Sequence, residues 1–335
     1  MPLLEVRDLT VHYRLGPARV HAADRVSFTL DRGQTLGLVG ESGCGKTTVG
    51  YALLRVLPEN GVIAGGQVHL DGSDLLALDA EAMRRVRWRR LSMIFQGAMN
   101  ALNPVLRVGD LLEEILQTHE PVSREEARAR VAEQFEQVGL PRARTHSYPH
   151  EMSGGQRQRA VKAKSHLGRP DLIIADEPTT AFDVILQDQI LVQLQEIQKR
   201  LGLALILISH DMSVIAETCD HVAVMYGGRI VEYGTVDEIF ARPRHPYTIA
   251  MLSSFPSLYG PARELLALPG VPPDLTAPPV GCAFAPRCPL AEERCHAEAP
   301  APLTLDGDET HWSRCHFARE VKVSALAREA AGAES

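Results

Sequence analysis

The chain has no long run of apolar residues, and its longest clearly apolar stretch is LALILI (203–208). A helix that crosses a bilayer needs about 20 such residues, so we expect no membrane span. The first residues, MPLLEVRDLTVHYRL, lack the basic segment and the apolar run of a secretion signal. These absences predict a protein in a reducing compartment, where grouped cysteines bind metal more often than they form disulfides.

An excess of positive charge is also missing, because the formal net charge is −7 at pH 7. This charge argues against a general nucleic-acid-binding protein. The arginine-rich RRVRWRR (84–90) is therefore interpreted as a solvated face rather than a nucleic-acid site. The 335 residues, with 45% hydrophobic and 23% charged residues, have a globular composition and predict one large or two smaller domains.

Strand and helix patterns alternate along the chain. Alternating and β-branched residues predict strands in the first ninety or so residues, and helical spacing follows from about 105 to 145. Strands return at DLIIAD and LALILISH, with a helical run between them. Strands that alternate with helices predict a parallel α/β sheet. Beyond about residue 255 the chain is rich in proline, which predicts a linker or an extended segment.

A phosphate-binding loop follows an apolar strand. GESGCGKT (40–47) matches the pattern G-x-x-x-x-G-K-[ST] between TLGLV and the helical run TVGYALLRVL, the context that this motif requires. Its glycines can turn N–H groups toward phosphate oxygens, Lys46 can reach the β and γ phosphates, and Thr47 can bind Mg²⁺. The predicted nucleotide-binding residues here are Gly40, Ser42, Gly43, Cys44, Gly45, Lys46, Thr47 and Thr48. We expect the Cys44 thiol to be reactive, because its surroundings are positive.

Two carboxylates end a second apolar strand, LIIADEP (172–178). A buried parallel strand delivers its last side chains to the edge of the sheet where α/β proteins bind ligands. Asp176 is therefore predicted to bind Mg²⁺. Glu177, one residue further on, is predicted to accept a proton from an attacking water.

The stretch EMSGGQRQR (151–159) resembles the signature of the ATP-binding subunits of ABC transporters. Ser153, Gly154 and Gly155 would leave bare N–H groups at a helix N-terminus, which makes a second anion site. One monomer does not need two such sites for one triphosphate. The resemblance implies two ATPase subunits packed head to tail, with Ser153, Gly154, Gly155 and Gln156 acting on the ATP of the partner.

The same resemblance implies roles for four further residues. Gln96 in MIFQ is similar to the glutamine that contacts Mg²⁺ and the attacking water. His210 in LISHD is similar to the histidine that contacts the γ-phosphate, and Asp183 in TTAFD to the residue that crosses the dimer interface. Tyr13 is similar to the aromatic residue that stacks on adenine. The implied catalytic residues are thus Glu177, His210 and Gln96, with Thr47, Gln96 and Asp176 at Mg²⁺.

Other segments resemble the dipeptide and oligopeptide branch of ABC importers, namely YPHEMSGG, RHPYTIAMLSSFPSL (244–258) and the cysteine-bearing tail. This resemblance implies an ATP-hydrolysing motor at the cytoplasmic face of the cell membrane. Its implied partners are a second, paralogous ATPase subunit, two transmembrane permease subunits and an extracytoplasmic substrate-binding protein. The alternatives are an importer of another solute, such as nickel or a glycoside, and a soluble ABC ATPase.

The implied fold is an α/β phosphate-loop NTPase core with an antiparallel β subdomain, a helical subdomain and a cysteine-containing C-terminal extension. We predict the ATPase domain at 1–255, with the helical subdomain inserted at about 97–165, and the extension at 256–335. One departure from the family pattern is Lys162 and His166 on the helix after the signature, where apolar residues are usual. It predicts either a more exposed face or a less stable helix.

Four of the six cysteines gather near the end of the chain, at Cys282, Cys288, Cys295 and Cys315. They are separated by five, six and nineteen residues, whereas zinc favours pairs two to four residues apart. These wide loops suit a [4Fe–4S] cluster held by four separated thiolates. The importer resemblance implies the same cluster, and zinc and free thiols remain the alternatives.

Overall fold

The structure is a computed structural model that describes residues 1–95, 102–168, 170–178, 184–254, 270–305 and 308–321. The strands are β1 (Leu4–Leu15), β2 (Ala18–Leu30), β3 (Thr35–Val39), β4 (Gly61–Leu70), β5 (Ser73–Asp74), β6 (Leu91–Ile94), β7 (Leu172–Asp176), β8 (Ala204–Ile208), β9 (His221–Tyr226), β10 (Arg229–Thr235), β11 (Leu303–Leu305) and β12 (Asp308–Ser313). The helices are α1 (Lys46–Leu54), α2 (Ala80–Val86), α3 (Val108–His119), α4 (Arg124–Gln137), α5 (Gly154–His166), α6 (Val184–Leu201), α7 (Met212–Thr218), α8 (Val236–Ala241), α9 (Pro246–Ser253) and α10 (Glu293–Ala297).

The chain divides into two compact units. The first consists mainly of Asp31–Gln34 and Asp74–Leu207, and the second of Pro2–Leu30, Thr35–Ser73 and the residues from Ile208 onward. The cysteine-bearing tail thus belongs to the same unit as the N-terminal strands. The predicted domain boundary at residue 255 lies outside the described residues and stays a prediction.

In the second unit, an antiparallel sheet has the order β2-β1-β4. Residues of β1 such as Leu4, Val6 and Leu9 are buried, because a strand with one covered face turns alternate side chains inward. The turn after β4 uses Asp71 and Gly72, which both have positive φ (52° and 80°). The antiparallel β subdomain predicted from the sequence is confirmed.

A second sheet of this unit has the order β11-β12-β10-β9-β3. Strand β3 pairs in parallel with β9, and β9 pairs with β10 in a hairpin about Gly227 and Gly228. The tail adds to this sheet, because β12 pairs antiparallel with β10 and places Trp312 opposite Tyr233. Their rings stack with centroids 6.0 Å apart. The tail is therefore an integral part of the second unit.

In the first unit, β8, β7 and β6 are neighbours in that order, and β6 runs parallel to β7. Every residue of β7 is buried, as in strands covered on both faces. Helices α3, α4 and α5 share an apolar core that includes Leu112, Val131 and Phe135. Ser123 caps α4, because its side chain accepts a hydrogen bond from the Glu126 N–H at 3.1 Å. No helix within the described residues is both long and apolar enough to cross a bilayer.

Helix α5 carries the lysine that departs from the family pattern. Lys162 is only 2% exposed, so the predicted exposed face is wrong at this position. Burial and, to a smaller extent, the charge of Arg159 together lower the pKa of Lys162 to about 7. Desolvation of an ammonium group costs free energy, so Lys162 works against the stability of this unit at neutral pH. The His166 side chain lies outside the described part of α5.

Candidate functional site

The phosphate loop joins β3 to α1 in the second unit. Gly40, Gly43 and Gly45 have φ values of 146°, 81° and 106°, which side chains with a Cβ rarely adopt. A Cβ at Gly40 would lie 2.2 Å from the Met225 carbonyl oxygen, whereas a Cβ at Gly43 would meet nothing within 4 Å. The loop therefore packs on the sheet at one glycine and opens to free space at another, where a phosphate can be received.

Lys46 begins α1 and is buried. Its Nζ donates hydrogen bonds to the carbonyl oxygens of Gly40 at 2.7 Å and Glu41 at 2.9 Å. The loop thus folds around the ammonium group and holds a positive charge at the start of a helix. A helix N-terminus and a cation together favour an anionic ligand.

Cys44 lies in this loop and is buried, with 6% of its surface exposed. Burial raises the pKa of its thiol, and the nearby Lys46 ammonium, 3.7 Å from the sulfur, opposes that shift only in part. Burial of the thiol thus opposes the reactivity expected from the positive surroundings, and the reactivity of Cys44 stays a prediction. The Cys44 carbonyl instead accepts the Gly228 N–H at 3.2 Å, which ties the loop to the β9–β10 hairpin.

Other predicted nucleotide contacts lie on the same unit. Ser42 is exposed, and Thr47 is partly buried on the first turn of α1. Tyr13 on β1 is partly buried, and its hydroxyl donates to the Thr48 hydroxyl at 3.2 Å. His210 is exposed directly before Asp211, the residue that caps α7. The residues predicted to contact adenine, the phosphates of the loop and the γ-phosphate thus all belong to this unit.

The predicted Mg²⁺ ligand and general base belong to the first unit. Asp176 is fully buried at the end of β7, and Glu177 is partly buried. Glu177 has a φ of 48°, an uncommon conformation for a residue with a long side chain. Such local strain concentrates at functional sites. Gln96 and Asp183, the other two residues implied for catalysis and the dimer interface, lie outside the described residues.

The signature residues form a capping box at the start of α5. The Ser153 side chain accepts the Gln156 N–H at 3.3 Å, and the Gln156 side chain accepts the Ser153 N–H at 3.1 Å. The prediction of a bare Ser153 N–H is therefore wrong, since Gln156 occupies it. Gly154 and Gly155 are the first helical residues, where N–H groups point along the axis toward any bound anion.

The four tail cysteines line one pocket. Burial raises the pKa of Cys288 and Cys315 to about 12, and it raises that of Cys282 as well. Backbone N–H groups reach these sulfurs, including the Phe317 N–H, which donates to the Cys315 sulfur at 3.4 Å. Among the described residues, no three His, Cys, Asp or Glu side chains are arranged to hold a single metal ion.

The sequence assigned no role to three residues that connect this pocket to the phosphate loop. Arg287 lies between Cys282 and Cys288, and it forms two hydrogen bonds with the Glu41 carboxylate. Tyr247, in the HPY sequence after Arg244, accepts the Glu41 N–H at 2.8 Å. The HPY sequence and the charged Glu41 inside the loop are both visible in the sequence. Their contact could not be predicted, because Glu41 and Tyr247 are about two hundred residues apart in the chain.

A parallel strand, a glycine loop and a helix that begins on a buried lysine define a phosphate-loop nucleotide-binding protein. The chain matches the family described as ABC transporter over residues 23–180, and the oligopeptide/dipeptide transporter C-terminal region over residues 231–295. With the relatives below, the chain belongs to the ABC transporter family, and the prediction of an ABC ATPase is confirmed. The resemblance to the peptide branch is confirmed by the second match.

Two similar relatives are named oligopeptide transport ATP-binding protein OppD. The protein of Bacillus subtilis is 47% identical, with 92% of this chain and 87% of the relative covered. That of Salmonella typhimurium is 45% identical, with 89% of each chain covered. The dimeric, post-hydrolysis structure of the ATP-binding cassette MJ0796 bound to ADP and Pi has a TM-score of 0.62 at 23% identity. It covers 70% of this chain and 98% of its own, which confirms the fold.

Proposed function

We propose that this chain is the ATP-hydrolysing subunit of an importer of dipeptides or oligopeptides. The observation that carries the proposal is the match of residues 231–295 to the C-terminal region of oligopeptide/dipeptide transporters. That segment includes the HPY sequence and the first three tail cysteines. The similarity to OppD proteins over most of their length supports the same activity.

In this function the phosphate loop binds the phosphates of ATP. Lys46 neutralises the β and γ phosphates, and Thr47 and Asp176 hold Mg²⁺. Glu177 takes a proton from the attacking water, a role supported by its place after a buried strand and by its strained backbone. Exchange of the carbonyl contacts of Lys46 for phosphate oxygens leaves the ammonium group hydrogen-bonded throughout.

The remaining roles come from the family resemblance. His210 contacts the γ-phosphate, Tyr13 stacks on adenine, and Gln96 senses the nucleotide and relays its state to the permeases. The open N-terminus of α5, begun by Gly154, covers the phosphate loop of a partner ATPase subunit, with Asp183 at the interface. ATP then closes a head-to-tail dimer on two permease subunits at the cytoplasmic face of the membrane, and an extracytoplasmic binding protein supplies the substrate.

The four tail cysteines are proposed to hold a [4Fe–4S] cluster. They fit this group, because four sulfurs line one buried pocket and backbone N–H groups point at them. Zinc is the alternative, because four thiolates also suit a single zinc ion. A multi-iron cluster binds each thiolate at a separate iron and so accepts wider spacing. When bound, the group would brace the tail rather than take part in ATP hydrolysis.

The cluster proposal is tested on protein purified without oxygen. It should be brown, absorb broadly at about 400 nm, and contain about four irons and four sulfides per chain. Cys288→Ser should lose most of the colour, whereas Cys219→Ser, which lies outside the pocket, should keep it. A colourless protein that contains one zinc per chain would overturn the cluster proposal in favour of zinc.

The transport proposal is tested on the complete transporter in proteoliposomes. The proposed binding protein and permeases are reconstituted with this chain, and ATP hydrolysis is measured with binding protein loaded with peptides, nickel or a glycoside. Peptide should stimulate hydrolysis most, and a complex bearing Glu177→Gln should show no stimulation. Stimulation by nickel or a glycoside but not by any peptide would overturn the proposed substrate class.

A further inference from the structure

A salt bridge joins the cysteine-bearing tail to the phosphate loop. Arg287 ends the short 3-10 helix Ala285–Arg287, and only 5% of its side chain is exposed. Its two terminal nitrogens donate to the two Glu41 carboxylate oxygens at 2.7 and 2.9 Å. This two-point pairing fixes the orientation of both groups, which a single ion contact does not.

Glu41 is the second residue of the phosphate loop, and three of its groups are held in place. Its carboxylate is held by Arg287, its N–H donates to the Tyr247 hydroxyl at 2.8 Å, and its carbonyl accepts Lys46 Nζ at 2.9 Å. Displacement of the Glu41 side chain would therefore be transmitted through one residue to the lysine that reaches the phosphates.

Aromatic rings also lie between the cysteine pocket and the phosphate loop. Phe284, which lines the cysteine pocket, packs edge-on against Tyr226 and Tyr247 with centroids 5.2 and 5.5 Å apart. Arg287 donates a further hydrogen bond to the Tyr226 hydroxyl at 3.1 Å. Cys282, two residues before Phe284, lines the same pocket. The cysteine pocket and Arg287 thus share the neighbours Phe284 and Tyr226.

The salt bridge between Arg287 and Glu41 also affects the charge that a bound nucleotide meets at the loop. A triphosphate brings several negative charges to the loop, and Glu41 adds one more beside them. Arg287 offsets that charge from the side of the tail, where it is screened little by solvent. Without Arg287, the carboxylate would repel the phosphates or turn away and pull the loop with it.

We propose that Arg287 is a positioning residue for nucleotide binding, through which the tail holds the phosphate loop in its binding conformation. The inference rests on the proposed binding of ATP at this loop. Arg287 touches neither the γ-phosphate nor the water in this scheme, so its loss should weaken nucleotide binding and leave the hydrolytic step intact.

The test measures the Kd for MgATP and the KM and kcat for hydrolysis on the full-length chain. Arg287→Gln should raise Kd and KM at least about tenfold, because it leaves the Glu41 carboxylate without its charged partner in a largely buried pair. The kcat should stay within about twofold of the wild-type value. The double variant Glu41→Gln/Arg287→Gln should recover to within about threefold of wild type, because no unpartnered charge remains. Arg287→Lys should fall between them, since lysine cannot make the two-point contact.

Arg294→Gln is the matched control, because Arg294 lies in the same tail with 61% of its side chain exposed, and its Kd should not change. Circular dichroism shows whether each variant is folded, and if Arg287→Gln does not fold, the double variant decides. Equal Kd values for wild type and Arg287→Gln, or a folded double variant as weak as Arg287→Gln, would overturn the inference. A wild-type chain that binds no MgATP would instead overturn the proposed site.

Discussion

Gly45 offers the sharpest test of how the phosphate loop is built. A Cβ at this position would lie 1.9 Å from the Ala22 carbonyl oxygen on β2, and the φ of Gly45 is 106°. Real Cβ atoms essentially never approach within 3.0 Å of another heavy atom, and this neighbour is main chain of a strand that pairs with β1. Gly45→Ala therefore forces β2 or the loop to move.

The expected cost has two parts. A residue with a Cβ at positive φ loses about 1–2 kcal/mol, and an overlap that displaces packed backbone adds about 1–3 kcal/mol. Gly45→Ala should thus lower the free energy of unfolding by about 2–5 kcal/mol. It should also abolish MgATP binding, because the displaced turn is the one that presents N–H groups to the phosphates.

Gly16→Ala is the matched control in the same unit. Gly16 has a φ of 57°, and a Cβ there would meet nothing within 4 Å, so only the backbone term of about 1–2 kcal/mol applies. Urea titrations followed by circular dichroism give both free energies, and calorimetry gives the nucleotide affinity. If Gly45→Ala lost no more stability than Gly16→Ala, or still bound MgATP, the close packing of the loop on β2 would be refuted.

Three further predictions concern other residues. Glu177→Gln should bind MgATP with wild-type affinity and hydrolyse it at least about a hundredfold more slowly, since only the proton acceptor is lost; a wild-type rate would exclude Glu177 as the base. Lys162 should make the unfolding free energy rise from about pH 7 to 10.5, because the unfolded lysine keeps a proton that the folded one releases near 7; Lys162→Met should flatten this rise, and an unchanged slope would contradict the lowered pKa. Cys44 should react with iodoacetamide more slowly than a free cysteine at pH 8, because burial raises its pKa; fast labelling would place it at the surface.

Those parts of the site that depend on local chemistry were predictable from the sequence. The phosphate loop needs positive φ at Gly40, Gly43 and Gly45, and the glycines that allow it are visible in the sequence. The strand before Asp176 is fully buried, and its run of apolar residues is visible in the same way. The cap at Ser153 follows the same rule, although its return bond from Gln156 was missed. Each of these features is decided within a few residues of chain.

Features decided by packing between distant segments were not predictable. The burial of Cys44 depends on residues that are distant in the chain. It raises the pKa of the thiol, whereas the positive neighbours alone would lower it. The pair of Arg287 and Glu41 joins residues 246 positions apart. The addition of β12 to the edge of β10 likewise needs the fold, because the short strand pattern of the tail names no partner.

The HPY sequence shows why the tail and the nucleotide site belong to one structure. His245 is 1% exposed, and burial lowers its pKa to about 3, so the ring is neutral. Its Nδ1 accepts the Tyr247 N–H at 3.1 Å, which caps α9 and aims Tyr247 at Glu41. Pro246 fits the first turn of this helix, where no N–H is needed.

The position of that helix is fixed in turn by a buried carboxylate. Glu232 on β10 is fully buried and accepts the N–H groups of Arg244 at 2.6 Å and His245 at 2.9 Å. His311 on the tail strand β12 lies 3.1 Å from the same carboxylate. A buried carboxylate is stable only when such partners surround it, so the tail strand helps to hold the residue that sets α9. The tail is therefore connected to Glu41 in two ways, directly through Arg287 and indirectly through Glu232, α9 and Tyr247.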